Sequence, residues 1–254
     1  MTEVSVSAKR AAFRDLHRAG CFVLPNPWDG RTAAALSRAG FKALASTSAG
    51  AAWALAKADG EMSLKEVLDH LRFLSSVTDL PVNADFESGF AETPEGVRRN
   101  VALCIETGVA GLSIEDRHGH ELYSKRMAVE RLSAARASID QFGDDIVLVG
   151  RCEAYLIQPL DLDEVIERLR AYSQAGADCL YAPGLTDLAS IRAVVAAVDK
   201  PVNANLTGTG LSVADMASAG VRRVSVGAAL AAATYVAFDD VVEQLKATGR
   251  LPDS

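Results

Sequence analysis

The ten residues Pro81–Phe90, PVNADFESGF, contain a short β-like run, Pro81–Ala84, that leads directly into two carboxylates, Asp85 and Glu87. A run of this length is typical of a buried parallel strand. The same pattern returns at Gly111–Glu115 and at Val147–Arg151, where a short β-like run again ends in a charge. Because parallel strands of a barrel present their carboxyl ends on one face, we predict that these charges gather there.

The rest of the chain alternates between helical stretches and short apolar runs, about every 30 residues, which is the spacing of βαβ units. Many of the predicted helices end in a small residue followed by Gly, a common C-terminal cap. Together these patterns predict a (β/α)8 TIM barrel, of class α/β, as one domain over residues 1–254 with a leading N-terminal helix near Ser7–Ala19. The predicted strands are Cys21–Leu24, Ala43–Ser46, Val82–Asp85, Gly111–Glu115, Val147–Arg151, Cys179–Tyr181, Val202–Asn205 and Arg223–Val226. The predicted helices are Arg31–Ala39, Leu64–Ser75, Pro94–Thr107, Ala128–Phe142, Leu162–Ala175, Asp187–Ala197, Val213–Ala219 and one that starts near Ala228.

Composition narrows the class of protein. The chain has 254 residues, of which 49% are hydrophobic, and this length is close to the roughly 250 residues of a typical TIM barrel. A net charge of −7 argues against nucleic acid as a partner, because phosphate backbones attract basic surfaces. No apolar stretch is long enough for a signal peptide or a membrane span. Four scattered cysteines are typical of reduced thiols, so we expect a cytoplasmic protein.

Four carboxylates are the candidate metal ligands. Clustered carboxylates repel one another unless a hard cation lies between them, and Mg²⁺ takes oxygen ligands while keeping several waters. We therefore predict that Asp85 binds Mg²⁺ directly, and that Asp59, Glu87 and Glu115 bind it through water. Mn²⁺ would accept the same oxygen ligands.

Other polar residues at predicted strand ends are candidates for substrate binding and catalysis. Arg151 is either a clamp for a substrate anion or one half of an ion pair with a neighbouring carboxylate. The hydroxyl and backbone N–H groups of Ser46–Ser48 can bind a carboxylate, and Asn205 ends its strand facing the barrel mouth. In the loop after Glu115, His118 and His120 are candidate acids or bases. Arg151, Ser48 and His120 are therefore the candidate catalytic residues. No Lys ends a strand, which argues against Schiff-base chemistry.

Several motifs, in this order, resemble the isocitrate lyase/phosphoenolpyruvate mutase superfamily, and most closely its short, phosphoenolpyruvate mutase-like branch. The resemblance covers residues 26–227 and is carried by NPWDGRTAAALSRAGFKALASTSAG, PVNADFESGF, GVAGLSIED, GRCEAY, AGADCLYAPGL and AGVRRVSVG. It implies a barrel that assembles as a homotetramer of helix-exchanging dimers, with Mg²⁺ and a 2-oxo or 2-hydroxy acid substrate. It also implies that Asp85 binds the metal directly, that Ser46, Thr47 and Ser48 bind the substrate carboxylate, that Arg151 binds its other anionic end, and that Trp28 forms a pocket wall.

The loop RHGHELYSKR, residues 117–126, departs from the superfamily pattern. It lacks the Cys that isocitrate and methylisocitrate lyases use as acid and base, and it lacks the Lys-x-Asn-Ser signature of the mutases. We therefore favour a Mg²⁺-dependent lyase that cleaves a C–C bond of a small 2-oxo or 2-hydroxy di- or tricarboxylic acid, through an enolate, by decarboxylation or retro-aldol cleavage. The alternatives are P–C bond chemistry of the mutase or phosphonopyruvate hydrolase type, and a non-catalytic acid-binding barrel.

Overall fold

A computed structural model describes residues 4–158, 160–206, 208 and 210–252, and in it eight parallel strands curl into a nearly closed barrel. The strands are β1 (Phe22–Leu24), β2 (Leu44–Ala45), β3 (Val82–Asp85), β4 (Gly111–Glu115), β7 (Val147–Arg151), β8 (Cys179–Tyr181), β9 (Val202–Asn205) and β10 (Arg223–Ser225). Neighbouring strands follow the order β1-β10-β9-β8-β7-β4-β3-β2. The predicted barrel is therefore confirmed, and five strands have the predicted bounds.

Helices surround this sheet. They are α1 (Val6–Leu16), α2 (Gly30–Arg38), α3 (Ser48–Ala54), α4 (Leu64–Ser76), α5 (Pro94–Ile105), α6 (Lys125–Phe142), α7 (Ala154–Ile157), α8 (Leu162–Gln174), α9 (Leu188–Ala197), α10 (Val213–Ser218) and α11 (Ala229–Thr248). A two-stranded antiparallel hairpin, β5 (Arg117–His118) with β6 (Glu121–Leu122), lies in the loop after β4. The sequence did not predict this hairpin, α3 or α7, because each is too short to give a periodic signal.

Helix starts follow local chemistry that is legible in the sequence. The Asp29 side chain accepts a hydrogen bond from Thr32 N at 2.7 Å, and Thr32 Oγ1 accepts one from the backbone N–H of Asp29. The two bonds form a capping box for α2. Thr93 caps α5, and Pro94 occupies the first helical position, where no N–H is needed.

The seam between β1 and β2 has no strand ladder, and loop residues bridge it instead. Ala45 N donates to Pro25 O at 3.1 Å. The buried Asn26 side chain then donates to Ser46 O at 2.9 Å and accepts from the backbone N–H groups of Val226 and Gly227. One amide therefore ties the carboxyl ends of β1, β2 and β10 together at the mouth.

The opposite, amino-terminal end of the barrel is closed by α1. Phe13 is fully buried and packs with residues of β1, β2, β7 and β8. A Cβ added at Gly111 would lie 2.8 Å from the Phe13 ring and 2.9 Å from Val147 O, so only glycine leaves room for this plug. All open access to the barrel interior is therefore expected from the carboxyl ends of the strands.

Among the residues that the structure describes, no helix combines the length and the apolar character needed to cross a membrane.

Candidate active site

Two adjoining cavities open at the carboxyl ends of the strands. The first, here called the barrel cavity, has a volume of about 190 Å³ and extends into the barrel. Residues of seven strands and of the loops after the strands line it. The second, the rim cavity, has a volume of about 310 Å³ and lies between the loops that follow β2, β3 and β4. Asp59, Ser48 and Arg151 line both cavities, so the two form one continuous candidate site.

Asp85, the last residue of β3, is held in place by the loop after β2. Its backbone N–H donates to Ser46 Oγ at 2.8 Å, and its Oδ2 accepts from Ser48 N at 3.0 Å. Because Ser46 Oγ accepts here, its hydroxyl proton is directed elsewhere and can be donated to a bound anion. Thr47 is the N-cap of α3, and its Oγ1 accepts from Gly50 N at 3.3 Å. In the triplet Ser46–Ser48, therefore, Ser46 contacts Asp85 through its hydroxyl, Ser48 contacts it through its backbone N–H, and Thr47 caps a helix.

Arg151, the last residue of β7, lies among three carboxylates. Its Nη1 is 3.1 Å from Asp85 Oδ1 and 3.4 Å from Glu115 Oε2, and its Nε donates to Glu153 Oε1. Burial lowers the pKa of this guanidinium, but Glu153, Glu115 and Asp85 raise it well above its ordinary value. The ion pair that the sequence allowed for Arg151 is present, and its role as a clamp for a substrate anion stays a prediction.

Glu87 and Glu115 are carboxyls whose ionisation is opposed by their surroundings. Burial raises the pKa of Glu87 to about 7, with further contributions from the charges of Asp85 and Asp59. Burial also raises the pKa of Glu115 well above its ordinary value, although Arg151 opposes this shift. Glu87 Oε1 is buried and has no hydrogen-bond partner among the described residues. A buried carboxylate oxygen without a donor is costly, and a bound cation would relieve that cost.

Glu87 lies beyond the end of its strand. β3 ends at Asp85, so Glu87 is not placed by the alternation of a strand, and it has a left-handed backbone with φ 45°. That conformation is uncommon outside glycine, and the Glu87 side chain lines the rim cavity together with Glu115. Glu87 therefore reaches the mouth of the barrel through a turn, and its role as a metal ligand stays a prediction.

The four carboxylates predicted to hold a metal all line one or both cavities or contact Arg151, but they do not surround a common point. Within the described part of the chain, no three His, Cys, Asp or Glu side chains converge as metal ligands. The physical reason is that Arg151 lies between Asp85 and Glu115 and neutralises part of their charge. The unpartnered oxygen of Glu87 and the oxygen-rich donor set still fit a hard divalent cation, and the metal assignment stays a prediction.

The two candidate loop histidines lie in different surroundings. His120 is exposed and lines the rim cavity together with Arg117 and Gly119. His118 is also exposed; its Nε2 is 3.2 Å from Glu92 Oε2, and its ring lies 4.9 Å from the ring of Tyr123. The β5–β6 hairpin therefore places His120 and not His118 at the rim.

A buried network behind the site fixes Glu153. Asp116 Oδ1 accepts from Glu153 N at 2.7 Å, and its Oδ2 accepts from Tyr172 Oη at 2.5 Å and Arg168 Nη1 at 3.1 Å. Asp116 is 2% exposed, so it does not reach the cavity itself but holds Glu153 through its side chain and Arg151 O through its backbone N–H. The neighbouring Cys152 is fully buried and packs in the hydrophobic core.

Sequence reasoning had placed Trp28 and Asn205 at the mouth, and it overlooked Asn26 and Tyr181. Asn205 lines the barrel cavity, and its buried Oδ1 has no partner among the described residues. Trp28 is 9% exposed and is absent from the walls of both cavities. Tyr181 lies with its ring 5.4 Å from the guanidinium of Arg151. Strand alternation could have indicated Tyr181, because it ends β8 as Arg151 ends β7.

The eight parallel strands and the charged cavity at their carboxyl ends define a (β/α)8 barrel with its candidate site where enzymes of this fold have theirs. The family described as phosphoenolpyruvate phosphomutase matches residues 13–246. The chain therefore belongs to the isocitrate lyase/phosphoenolpyruvate mutase superfamily.

Individual relatives support this membership. A solved structure of a candidate lyase/mutase from Burkholderia cenocepacia J2315 is 43% identical, with a TM-score of 0.94 over 97% of this chain and 91% of that one. The 2-methylisocitrate lyase of Escherichia coli K12 is 37% identical over 67% of this chain and 60% of its own length. The oxaloacetate decarboxylase of Bradyrhizobium sp. ORS 278 is 31% identical over 70% of this chain and 64% of its own. The chain thus matches less than two thirds of these two curated relatives.

Proposed function

We propose that this protein is a lyase that cleaves a C–C bond of a small 2-oxo or 2-hydroxy di- or tricarboxylic acid. The observation that carries the proposal is the group of buried and half-buried carboxylates around Arg151 at the strand ends. Relatives named 2-methylisocitrate lyase and oxaloacetate decarboxylase support the choice of reaction class.

The residues of the site fit such a substrate. The Ser46 hydroxyl, whose proton is not used by Asp85, and the Ser48 hydroxyl would bind the carboxylate next to C2. Arg151 would exchange one of its carboxylate partners for the substrate's other anionic end, since its planar fork binds carboxylates. C–C cleavage leaves an enolate, and donors fixed before the reaction stabilise that charge best. Decarboxylation needs little further acid or base, in keeping with a loop that lacks the lyase Cys.

A divalent cation, Mg²⁺ or Mn²⁺, is part of this proposal. Asp85 would hold it directly, and Asp59, Glu87 and Glu115 would hold it through water. When bound, such an ion supplies Lewis-acid polarisation of the oxygen at C2. Retro-aldol cleavage would need a base in addition, and His120 at the rim is the candidate that the hairpin presents.

The proposal is tested by a proton and phosphorus NMR time course. The protein would meet oxaloacetate, substituted malates, methylisocitrate and phosphonopyruvate, with Mg²⁺ or with EDTA. We expect metal-dependent loss of one carboxylate substrate above its spontaneous rate, and loss of that turnover in Asp85→Ala. Loss of the phosphonate signal would favour P–C chemistry instead. Unchanged turnover by Asp85→Ala would rule out its role, and no turnover of any acid would favour a non-catalytic barrel.

We also propose that the protein is a homo-oligomer, with α11 as the contact. Within this 20-residue helix only Ala231 is buried, while Phe238, Val242 and Leu245 are 62%, 40% and 44% exposed. These three follow at i, i+4 and i+7 and therefore share one helical face. Exposed apolar surface of this kind marks interaction sites, and a second copy offers the same apolar face as its occupant.

Sedimentation velocity tests the oligomer. Phe238→Asp with Leu245→Asp should shift the protein to monomers, because a charged face cannot be buried against another copy. Gln244→Asp, a control that adds charge at an exposed position of the same helix, should leave the sedimentation coefficient unchanged. A wild-type protein that is monomeric at micromolar concentration would contradict the proposal.

A further inference from the structure

The floor of the barrel cavity contains a buried arginine that has no anionic partner. Arg223, the first residue of β10, is 3% exposed and lines the same cavity as Asp85 and Arg151. No carboxylate among the described residues lies within ion-pair distance of its guanidinium. At the cavity mouth, by contrast, Arg151 contacts three carboxylates. The two arginines of one cavity therefore differ in charge compensation.

The contacts of Arg223 are all neutral. Its Nε donates to Asn203 Oδ1 at 2.9 Å, and its Nη1 lies 3.4 Å from both Asn83 Oδ1 and His17 Nε2. The guanidinium carbon lies 5.8 Å from the centre of the Phe13 ring. The described residues supply no acceptor to Nη2. Burial lowers the pKa of Arg223, although an arginine stays protonated in proteins, so a full positive charge remains without a counterion.

A buried arginine that only supports the fold is expected to donate its hydrogen bonds to the protein, as Arg131 does. Arg131 is also buried without a carboxylate, but it donates to the main-chain carbonyls of Glu92 and Ser88 and stacks on Tyr123. Arg131 lines neither the barrel cavity nor the rim cavity. Arg223 instead borders open volume, and buried charges are normally paired. An unpaired charge next to a cavity is a ready site for an anion.

Other donors lie around the same floor. Asn203 Nδ2 donates to Ser225 Oγ at 3.1 Å, and the Ser225 hydroxyl also forms a hydrogen bond with Tyr181. Ser113 lines the cavity too, but its hydroxyl donates to Ala84 O at 3.3 Å. A cavity of about 190 Å³ has room for a small organic acid or several waters. The floor therefore offers one cation and the linked hydroxyls of Ser225 and Tyr181 to a small ligand.

We propose that Arg223, Ser225 and Tyr181 form a second anion subsite inside the barrel, which takes a carboxylate group. The carboxylate is either the second one of a substrate, which Arg223 would then bind in place of Arg151, or a free small carboxylate ion. Binding of a free ion does not depend on the proposed lyase activity, whereas use by a substrate rests on it. If a substrate carboxylate occupies the subsite, Arg223 selects dicarboxylic over monocarboxylic acids.

Calorimetric titration with sodium formate, in EDTA and at fixed ionic strength, tests the subsite without turnover. We expect wild-type protein to bind formate, and Arg223→Met to bind it at least tenfold more weakly. Arg223→Lys, which keeps the charge but loses the planar fork, should be intermediate. Arg222→Met is the matched control, because the neighbouring arginine donates to Gly20 O outside the barrel, and it should bind as wild type does.

A second titration identifies the source of the anion. In the presence of Mg²⁺, succinate and butyrate differ by one carboxylate. If wild type prefers succinate and Arg223→Met does not, the subsite takes a substrate carboxylate; if only formate binding depends on Arg223, it takes a free ion. Absence of formate binding by wild type, or equal formate affinity in wild type and Arg223→Met, would overturn the proposal. If Arg223→Met fails to fold, wild type and Arg223→Lys still decide the outcome.

Discussion

Removal of Arg151 is expected to be severely destabilising in the absence of metal. The substitution Arg151→Met leaves Asp85, Glu115 and Glu153 without their shared cation, and their side chains are 17%, 7% and 1% exposed. Removing one partner of a buried ion pair costs about 3–5 kcal/mol, because the remaining charge is left uncompensated. We therefore expect Arg151→Met to lose about 3–5 kcal/mol of unfolding free energy. This is a large share of the about 5–15 kcal/mol by which a whole domain is stable.

Urea unfolding followed by circular dichroism, at pH 7.5 with EDTA, measures this loss. Arg126→Met is the control, because Arg126 pairs with Glu130 at the surface, where their side chains are 79% and 41% exposed. Such pairs contribute about 0.5 kcal/mol or less. A loss below about 1 kcal/mol for Arg151→Met would refute the inference that Arg151 compensates the three carboxylates.

Two further measurements separate charge from packing in this variant. Lowering the pH should narrow the gap in unfolding free energy between Arg151→Met and wild type. Burial raises the pKa of Glu115 well above its ordinary value, so this carboxyl becomes neutral at a higher pH than an exposed one and then needs no counterion. Addition of Mg²⁺ should also narrow the gap if the carboxylates bind it. A difference in unfolding free energy that is the same at pH 5 and pH 7.5 would show that poor packing of the methionine, and not uncompensated charge, destabilises the variant.

Three other predictions concern the supporting structure. Burial lowers the pKa of His17 to about 3. Between pH 6.5 and 5 the unfolded chain therefore takes up a proton at His17 that the folded chain does not, which lowers the free energy of unfolding by about 2 kcal/mol. In urea unfolding, His17→Gln should lose this part of the pH dependence and keep the part due to His70, whose pKa burial also lowers. Tyr172→Phe removes the 2.5 Å bond to Asp116 and should cost about 1.5–3 kcal/mol of unfolding free energy, and an unchanged value would contradict the role of this bond. Leu132→Ala in the core should cost about 2–5 kcal/mol, and a smaller loss by thermal unfolding would mean that the cavity collapses.

The amino-acid sequence was enough to predict the barrel and the end of it at which the candidate site lies. Val82–Asp85, Gly111–Glu115 and Val202–Asn205 were predicted with the bounds that the structure has. These strands can be recognised in the sequence because each is a short β-like run, buried for most of its length, that ends in a charged or amide side chain. Since all eight strands run in the same direction, those marked ends had to meet at one mouth.

The pairing of the charges could be learned only from the folded chain. The sequence allowed Arg151 to be a clamp or an ion pair, because its partners come from three other positions whose distances depend on strand register and rotamers. It also offered no reason to choose Arg223, one of two adjacent arginines at the start of a strand. Whether such a charge faces a carboxylate, a carbonyl or a cavity depends on strands far away in the chain. Local propensity fixes elements, whereas compensation of charge is a property of the closed barrel.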